Sequence, residues 1–222
     1  MSSQTELIVT NATTESVTVW LTLGATAGCI SNVSDVGWGI TAEAPLQGYF
    51  TLQPGTANSV SYISPQGVGF NGNITFGTPP LNCATPSWPE GVNIAEFILN
   101  NAFQGSNAME TVDISAVAGV NAMIAFHLHG GGSWSASSAY PKVTSFSNSA
   151  IGDNVGRVGV YPYGCDDCTA SVAPPACANP PKNAPNPIVP QTDPICNVQR
   201  DASKSGGMVS ITFLGYGPGV LS

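Results

Sequence analysis

The sequence predicts an all-β domain, and three observations support that prediction. Apolar and polar residues alternate over several short runs, which is the period of a strand and differs from that of a helix. The chain of 222 residues contains 25 Gly and 18 Pro, which interrupt any long helix. Hydrophobic residues make up 42% of the chain, so at this length it can bury a sizeable core.

Four segments of the chain have the alternation of strands. They are residues 7–10, 16–21, 93–100 and 112–121. Residues 48–56 contain Pro54-Gly55, a dipeptide that favours a turn. Residues 174–194 hold eight prolines and predict an irregular loop with polyproline character.

Charge and motifs exclude several functional classes. Thirteen acidic residues against five basic ones give a net charge of −8, which would repel a nucleic-acid backbone. No apolar stretch approaches the roughly 18 residues of a membrane-spanning helix. The sequence also lacks a Gly-rich phosphate loop and a Gly-x-Ser-x-Gly nucleophile motif, and we expect no bound cofactor.

Two carboxylates lie in the middle of neighbouring predicted strands. Glu96 interrupts the apolar run 93–100, and Asp113 lies near the start of the run 112–121. Only 8% of the residues are charged, so two acids inside strands favour a functional role. The alternative is that both side chains anchor backbone amides of a crossing loop.

The residues around these carboxylates resemble the thaumatin-like protein family. Residues 94–100 read IAEFILN and residues 113–126 read DISAVAGVNAMIAF. The corresponding family pattern has the form LAEF.LN, then DIS, then GFN.PM.F. The resemblance covers roughly residues 5–126 and, more loosely, residues 160–214.

This resemblance implies a thaumatin-like β-sandwich with a reduced disulfide-bonded loop lobe. Residues 1–222 would form a single domain. Residues 127–159 have no counterpart in the family and are interpreted as an insertion. Residues 160–196 would form the reduced, proline-rich lobe.

The resemblance also implies a cleft. Family members line an acidic cleft with residues that match Glu96 and Asp113, and in a glycosidase one carboxyl would protonate the leaving oxygen while the other activates water or attacks. Asn73 stands where the family has a cleft Arg, and Ala118 stands where it has a second Asp. Asp193 is a loose match to the last cleft Asp. Since only two of the five cleft positions are clearly kept, we expect binding with little turnover.

Aromatic residues in Gly-, Pro- and Ser-rich segments are further candidates for sugar binding, because exposed rings stack on the apolar faces of sugars. They are Trp38, Trp88, Trp134, Tyr140, Tyr161 and Tyr163. Tyr161 and Tyr163 are taken as candidate binding residues. The alternative for each ring is ordinary packing under a loop.

Six cysteines imply disulfides if the chain is extracellular. The resemblance implies three bridges, Cys165–Cys196, Cys168–Cys177 and Cys29–Cys83. Six cysteines allow fifteen pairings, so the sequence alone leaves the connectivity open. A zinc site built from the four cysteines after residue 160 is an open alternative.

Location is inferred mainly from these cysteines. Together with three glycosylation sequons and few lysines they favour a secreted protein. The first six residues lack the basic and apolar regions of a signal peptide, so a cytosolic location stays open.

His127 and His129 are alternate residues of an apolar segment. On a strand they would share one face, where both imidazoles could ligate one metal ion. No third ligand is adjacent in the sequence, and Gly130 follows at once. We therefore predict no metal site and interpret the pair as polar residues at a strand end.

Together these features predict a protein that binds polysaccharide, a β-1,3-glucan or another cell-wall polysaccharide, with at most weak endo-glucanase activity. The alternative is a non-catalytic structural protein that assembles with itself on the same sandwich. Low charge and a cleft that has lost several family residues suit that alternative, which would make the protein a homo-oligomer.

Overall fold

The computed structural model describes residues 4–80, 92, 94–115, 121–136, 145–147, 160–161 and 198–216. Their regular structure is almost entirely β. The strands are β1 (Glu6–Asn11), β2 (Val17–Leu23), β3 (Thr41–Ala44), β4 (Gln47–Leu52), β5 (Val60–Tyr62), β6 (Phe70–Phe76), β7 (Ile94–Leu99), β8 (Met109–Ser115), β9 (Ala122–His129), β10 (Ser135–Ala136), β11 (Ser145–Ser147), β12 (Val160–Tyr161), β13 (Val198–Asp201) and β14 (Met208–Tyr216).

Helical structure within the described residues is limited to single 3-10 turns. These turns are Val33–Val36, Thr56–Asn58, Ala102–Gln104 and Ala202–Lys204. The prediction of an all-β fold is confirmed. The described residues contain no helix long and apolar enough to cross a membrane.

The strands form two sheets. The smaller sheet has the order β11-β9-β14-β1-β5, and the larger has the order β10-β13-β8-β7-β6-β2-β4-β3, with β12 also pairing with β8. Most neighbours are antiparallel, but β1 and β14 run parallel, with Leu7 opposite Val209. The first and last described strands are therefore neighbours in one sheet.

One hydrophobic core lies between the two sheets. Each strand turns alternate residues inward, as in β2, where Val17, Val19 and Leu21 are buried. The Phe76 ring of the larger sheet stacks on the Phe213 ring of the smaller one, with 4.8 Å between centroids. This packing of two inner faces is that of a β-sandwich.

A buried ion pair links two adjacent strands of the larger sheet and extends to Thr5, just before β1. The Arg200 guanidinium on β13 donates to the Glu110 carboxylate on β8 at 2.7 Å, and both side chains are almost fully buried. Arg200 also donates to the Thr5 hydroxyl at 2.8 Å and to the Gly206 carbonyl at 2.7 Å. The Trp134 ring lies 4.3 Å from the guanidinium carbon. The start of β1 is thereby tied to β8 and β13.

The implied disulfides are not seen within the described residues. Cys29 is there a free, partly buried thiol. Its sulfur instead packs over Gly69, where an added Cβ would lie only 2.7 Å from it and 2.8 Å from the Phe103 ring. Burial in this pocket raises the pKa of the thiol. Cys83 and the other implied bridge residues, Cys165, Cys168, Cys177 and Cys196, lie outside the described residues.

Two of the candidate loop aromatics are packed inward. Trp38 is 9% exposed and donates from its indole nitrogen to the Ser61 carbonyl at 2.9 Å. Trp134 is 4% exposed under Arg200. For these two rings ordinary packing is the correct interpretation. Trp88, Tyr140 and Tyr163 lie outside the described residues.

Candidate functional site

A row of polar side chains crosses five adjacent strands on the outer face of the larger sheet. In order across the sheet, these residues are Gln47 on β4, Thr22 on β2, Asn73 on β6, Glu96 on β7 and Asp113 on β8. Each is directly opposite the next in the strand register. Strands in a sheet lie about 4.8 Å apart, so the row is roughly 20 Å long.

Alternation of side chains along each strand produces this row. On β7, Ala95, Phe97 and Leu99 are buried in the core, which leaves Glu96 on the opposite face. On β8, Val112 and Ile114 are buried in the core. Asp113 lies between them in sequence and therefore points the other way. The carboxylates that interrupt apolar runs in the sequence are thus brought side by side.

A groove of about 240 Å³ lies at the Asn73–Asp113 end of this row. Its lining includes Asn71, Asn73, Glu96, Ile98, Thr111 and Asp113. Asn71 is fixed by donating to the Thr26 hydroxyl at 2.8 Å. Gly24 makes room for it, because a Cβ there would lie 2.7 Å from the Asn71 amide nitrogen. The lining of the groove therefore combines amide, hydroxyl and carboxyl groups with apolar residues such as Ile98.

The two carboxyls differ in their affinity for protons. Burial, the charge of Glu96 and a side-chain hydrogen bond with Glu96 together raise the pKa of Asp113 well above its usual range. Burial also raises the pKa of Glu96, but the hydrogen bond with Asp113 works in the opposite direction. Together the two carboxyls hold a proton more tightly than isolated carboxyls would. Titration of either group affects the other.

Two acceptor atoms of the row are buried without a partner. Among the described residues, neither the Asp113 Oδ1 nor the Asn73 Oδ1 receives a hydrogen bond. Asp113 is only 5% exposed, so water satisfies this oxygen poorly. A buried polar atom without a partner costs about 1–3 kcal/mol. Both atoms therefore keep an unused acceptor, and both belong to residues that line the groove.

An aromatic pair beside the row was missed by the sequence analysis. Trp20 on β2 lies opposite Tyr49 on β4, and their ring centroids are 4.9 Å apart. Trp20 is also opposite Thr75, two residues along β6 from Asn73. The signal was present in the sequence: Val17, Val19 and Leu21 alternate inward, which places Trp20 on the outer face.

The structure brings together three of the predicted site residues, Asn73, Glu96 and Asp113. Tyr161 belongs to β12, whose backbone pairs with Ser115, two residues after Asp113. Tyr163 and Asp193 lie outside the described residues. Within the described part of the chain, no three His, Cys, Asp or Glu side chains are grouped closely enough to hold a metal ion.

Comparison with known proteins finds similarity only among solved structures. No protein-family model matches the chain, and no curated protein sequence matches it. The structure of a thaumatin-like xylanase inhibitor aligns with 94% of this chain and 99% of its own, at 13% identity and a TM-score of 0.39. The protein elicitor MoHrip2 from Magnaporthe oryzae aligns with 95% of this chain and 99% of its own, at 11% identity and a TM-score of 0.39.

Proposed function

We propose that this protein binds a polysaccharide chain along the polar row of the larger sheet, with a β-1,3-glucan or a related cell-wall polysaccharide as the ligand. One observation carries the proposal. The row contains two buried acceptor atoms, on Asn73 and Asp113, that have no partner among the described residues. A sugar chain presents many hydroxyl donors, and each such donor satisfies one acceptor of this kind.

The aromatic pair supplies the second requirement of a sugar site. Sugar rings have apolar faces that stack on aromatic side chains, and the Trp20–Tyr49 pair lies on the same face as the row. Gln47 and Thr22, linked by a hydrogen bond of 3.0 Å, lie between this pair and the groove. Aromatic and hydrogen-bonding groups are therefore side by side along the direction that an extended ligand would follow.

The carboxyl pair favours binding over turnover. Two carboxyls joined by a hydrogen bond hold their oxygens about 2.5–3.0 Å apart. Glycosidases separate their two carboxyl groups by about 5 Å or more, which leaves room for the reacting sugar carbon and, in inverting enzymes, a water molecule. The shared proton of Glu96 and Asp113 leaves no such space between them. We therefore expect the pair to bind hydroxyl groups, with little hydrolysis.

The proposal is tested by co-sedimentation with insoluble β-1,3-glucan. Asn73→Ala and Trp20→Ala should each weaken binding up to about tenfold, since a hydrogen bond is worth about 0.5–1.5 kcal/mol and aromatic contacts are of similar size. Glu15→Gln is the matched control, because Glu15 is an exposed acid in the turn between β1 and β2. Xylan and chitin in parallel would define which polysaccharide is preferred.

Reducing ends measured in the same samples separate a binding protein from an enzyme. We expect no more reducing ends from the wild type than from Glu96→Gln. Turnover that Glu96→Gln abolishes would establish an endo-glucanase instead. Equal binding by the wild type, Asn73→Ala and Trp20→Ala would refute the proposed surface. No binding at all, combined with concentration-dependent assembly in light scattering, would favour the self-assembling structural protein.

An extracellular location is part of the proposal. Cell-wall polysaccharide is an extracellular ligand, and the cysteines other than Cys29 are available for bridges in an oxidising compartment. Non-reducing peptide mapping of the native protein tests this point. Four bridged cysteines among the other five would support secretion, whereas six free thiols would support a reducing compartment.

A further inference from the structure

The chain has only two histidines, and both lie on the outer face of the smaller sheet. His127 and His129 belong to β9, where the intervening Leu128 is buried in the core. Their rings lie nearly parallel, with centroids 6.5 Å apart and planes within 6° of each other. His129 is exposed and His127 partly buried, so solvent reaches the pair.

A methionine lies directly across from this pair. Met208 is the first residue of β14 and is opposite His129, while Ser210 is opposite His127. On β14, Val209 is buried and its two neighbours are not, so Met208 and Ser210 share the face of the histidines. Directly opposed side chains in an antiparallel pair have their Cβ atoms about 4.5–5.5 Å apart. The Met208 thioether is therefore within reach of the His129 imidazole and, as a long side chain across the diagonal of about 7–8 Å, of the His127 imidazole.

We propose that His127, His129 and Met208 form a copper site that binds Cu(I) preferentially. Imidazole nitrogens suit copper, and a thioether is a soft ligand that suits Cu(I). Two imidazole nitrogens on one metal ion lie at most about 4 Å apart. Rings whose centroids are 6.5 Å apart reach that separation by rotating about their side-chain bonds. Methionine is flexible enough to complete a three-coordinate site.

The surroundings favour a cation. Glu6 on β1 is the next residue across the sheet from Met208, so a carboxylate flanks the thioether. The net charge of −8 attracts cations to the molecule as a whole. The site lies on the smaller sheet and the polar row on the larger one. Copper binding and polysaccharide binding can therefore be tested independently.

The test is a competition between the protein and a chromogenic Cu(I) chelator under anaerobic, reducing conditions. His127→Ala, His129→Ala and Met208→Leu should each weaken Cu(I) binding at least tenfold. Met123→Leu is the matched control, because Met123 lies on the same face of β9 but is opposite Gly215, away from the histidines. Every variant keeps all six cysteines, so any copper bound by thiols is the same in each. Far-UV circular dichroism verifies that each variant is folded.

A spectroscopic measurement identifies the nitrogen ligands. Electron paramagnetic resonance of the Cu(II)-loaded protein should show hyperfine coupling to two imidazole nitrogens, which in this chain can come only from His127 and His129. Met208→Leu should keep this Cu(II) signal while losing Cu(I) affinity. Unchanged Cu(I) affinity in either histidine variant would overturn the site. Unchanged Cu(I) affinity in Met208→Leu would overturn the selection for Cu(I).

Discussion

Asp113 is a carboxyl whose affinity for a proton is increased by the fold. Burial and the adjacent Glu96 both disfavour its charged form, and its pKa is raised well above the ordinary value. The folded protein therefore holds this proton at pH values where the unfolded chain, with an aspartate pKa near 3.9, has released it. The stability contributed by this proton is fully present below that value and is lost as pH rises through the raised pKa.

Replacing Asp113 with Asn should remove this loss of stability at higher pH. The amide keeps the size of the neutral acid and still donates to Glu96, but it cannot ionise. We expect the free energy of unfolding of Asp113→Asn to improve relative to the wild type as pH rises from 4 to 8. Urea denaturation at each pH measures this difference. The control Glu15→Gln changes an acid in an exposed turn, so its free energy of unfolding should vary with pH as that of the wild type does. If the free energy of unfolding of Asp113→Asn also varied with pH as that of the wild type does, the raised pKa assigned to Asp113 would be contradicted.

Arg200 shows the opposite electrostatic case, because it is a buried charge whose removal would leave the Glu110 carboxylate unpaired. Its guanidinium satisfies Glu110, Thr5 and the carbonyls of Gly206 and Gly130 in a site with almost no solvent access. Removing one member of a buried ion pair leaves the other charge without compensation, which costs about 3–5 kcal/mol.

We therefore expect Arg200→Met to lower the free energy of unfolding by about 3–5 kcal/mol in chemical denaturation. Lys204→Met, a change of an exposed base in the following turn, should stay within about 0.5 kcal/mol of the wild type. A loss for Arg200→Met no larger than that of the control would show that the ion pair contributes little.

Among the elements, β7 contributes alternate residues to the hydrophobic core and to the groove. Phe97 points inward, is 1% exposed and contacts the Phe70 ring with 4.8 Å between centroids. Glu96 and Ile98, on either side of it, point to the groove. Phe97→Ala should lower the free energy of unfolding by about 3–5 kcal/mol through the cavity it leaves.

Ile98→Ala is the matched change on the outer face of the same strand. Because Ile98 lies in the open groove, we expect a loss of about 1 kcal/mol or less in the same urea titration. A loss for Ile98→Ala as large as that for Phe97→Ala would mean that the outer face is also a packed core. In that case the groove would not be available to a ligand.

The sequence predicts strands better than it predicts their register. Alternation places β1, β2 and β7 within two residues of their observed bounds, because each buries one face in a core. The opposition of Asn73 to Glu96 depends on the pairing of β6 with β7, which are separated by 17 residues. Only the resemblance to thaumatin-like proteins placed Asn73 in the site. The position of Trp20 beside the polar row follows only from the register of β2 against β6.

At the scale of the whole molecule, long-range strand pairing explains why the remaining features could not be predicted from the sequence. Arg200 and Glu110 are 90 residues apart, and nothing near Arg200 in the sequence distinguishes it from a surface base. Similarly, Met208 joins the histidines only because β14 lies beside β9. A local sequence pattern specifies which face a residue takes, whereas the partner across the sheet is determined by the packing of the complete chain.

The parallel pairing of β1 with β14 has a consequence for synthesis of the protein in the cell. β14 is the central strand that joins the β1–β5 pair to the β9–β11 pair. At translation rates of about 5–20 residues per second, roughly 10–40 s separate the emergence of these two strands from the ribosome. Throughout that interval Leu7 and Val9 lack their β14 neighbours, Val209 and Ile211, and β1 can pair only with β5. The nascent chain therefore carries an open, apolar β edge that a ribosome-associated chaperone would have to cover.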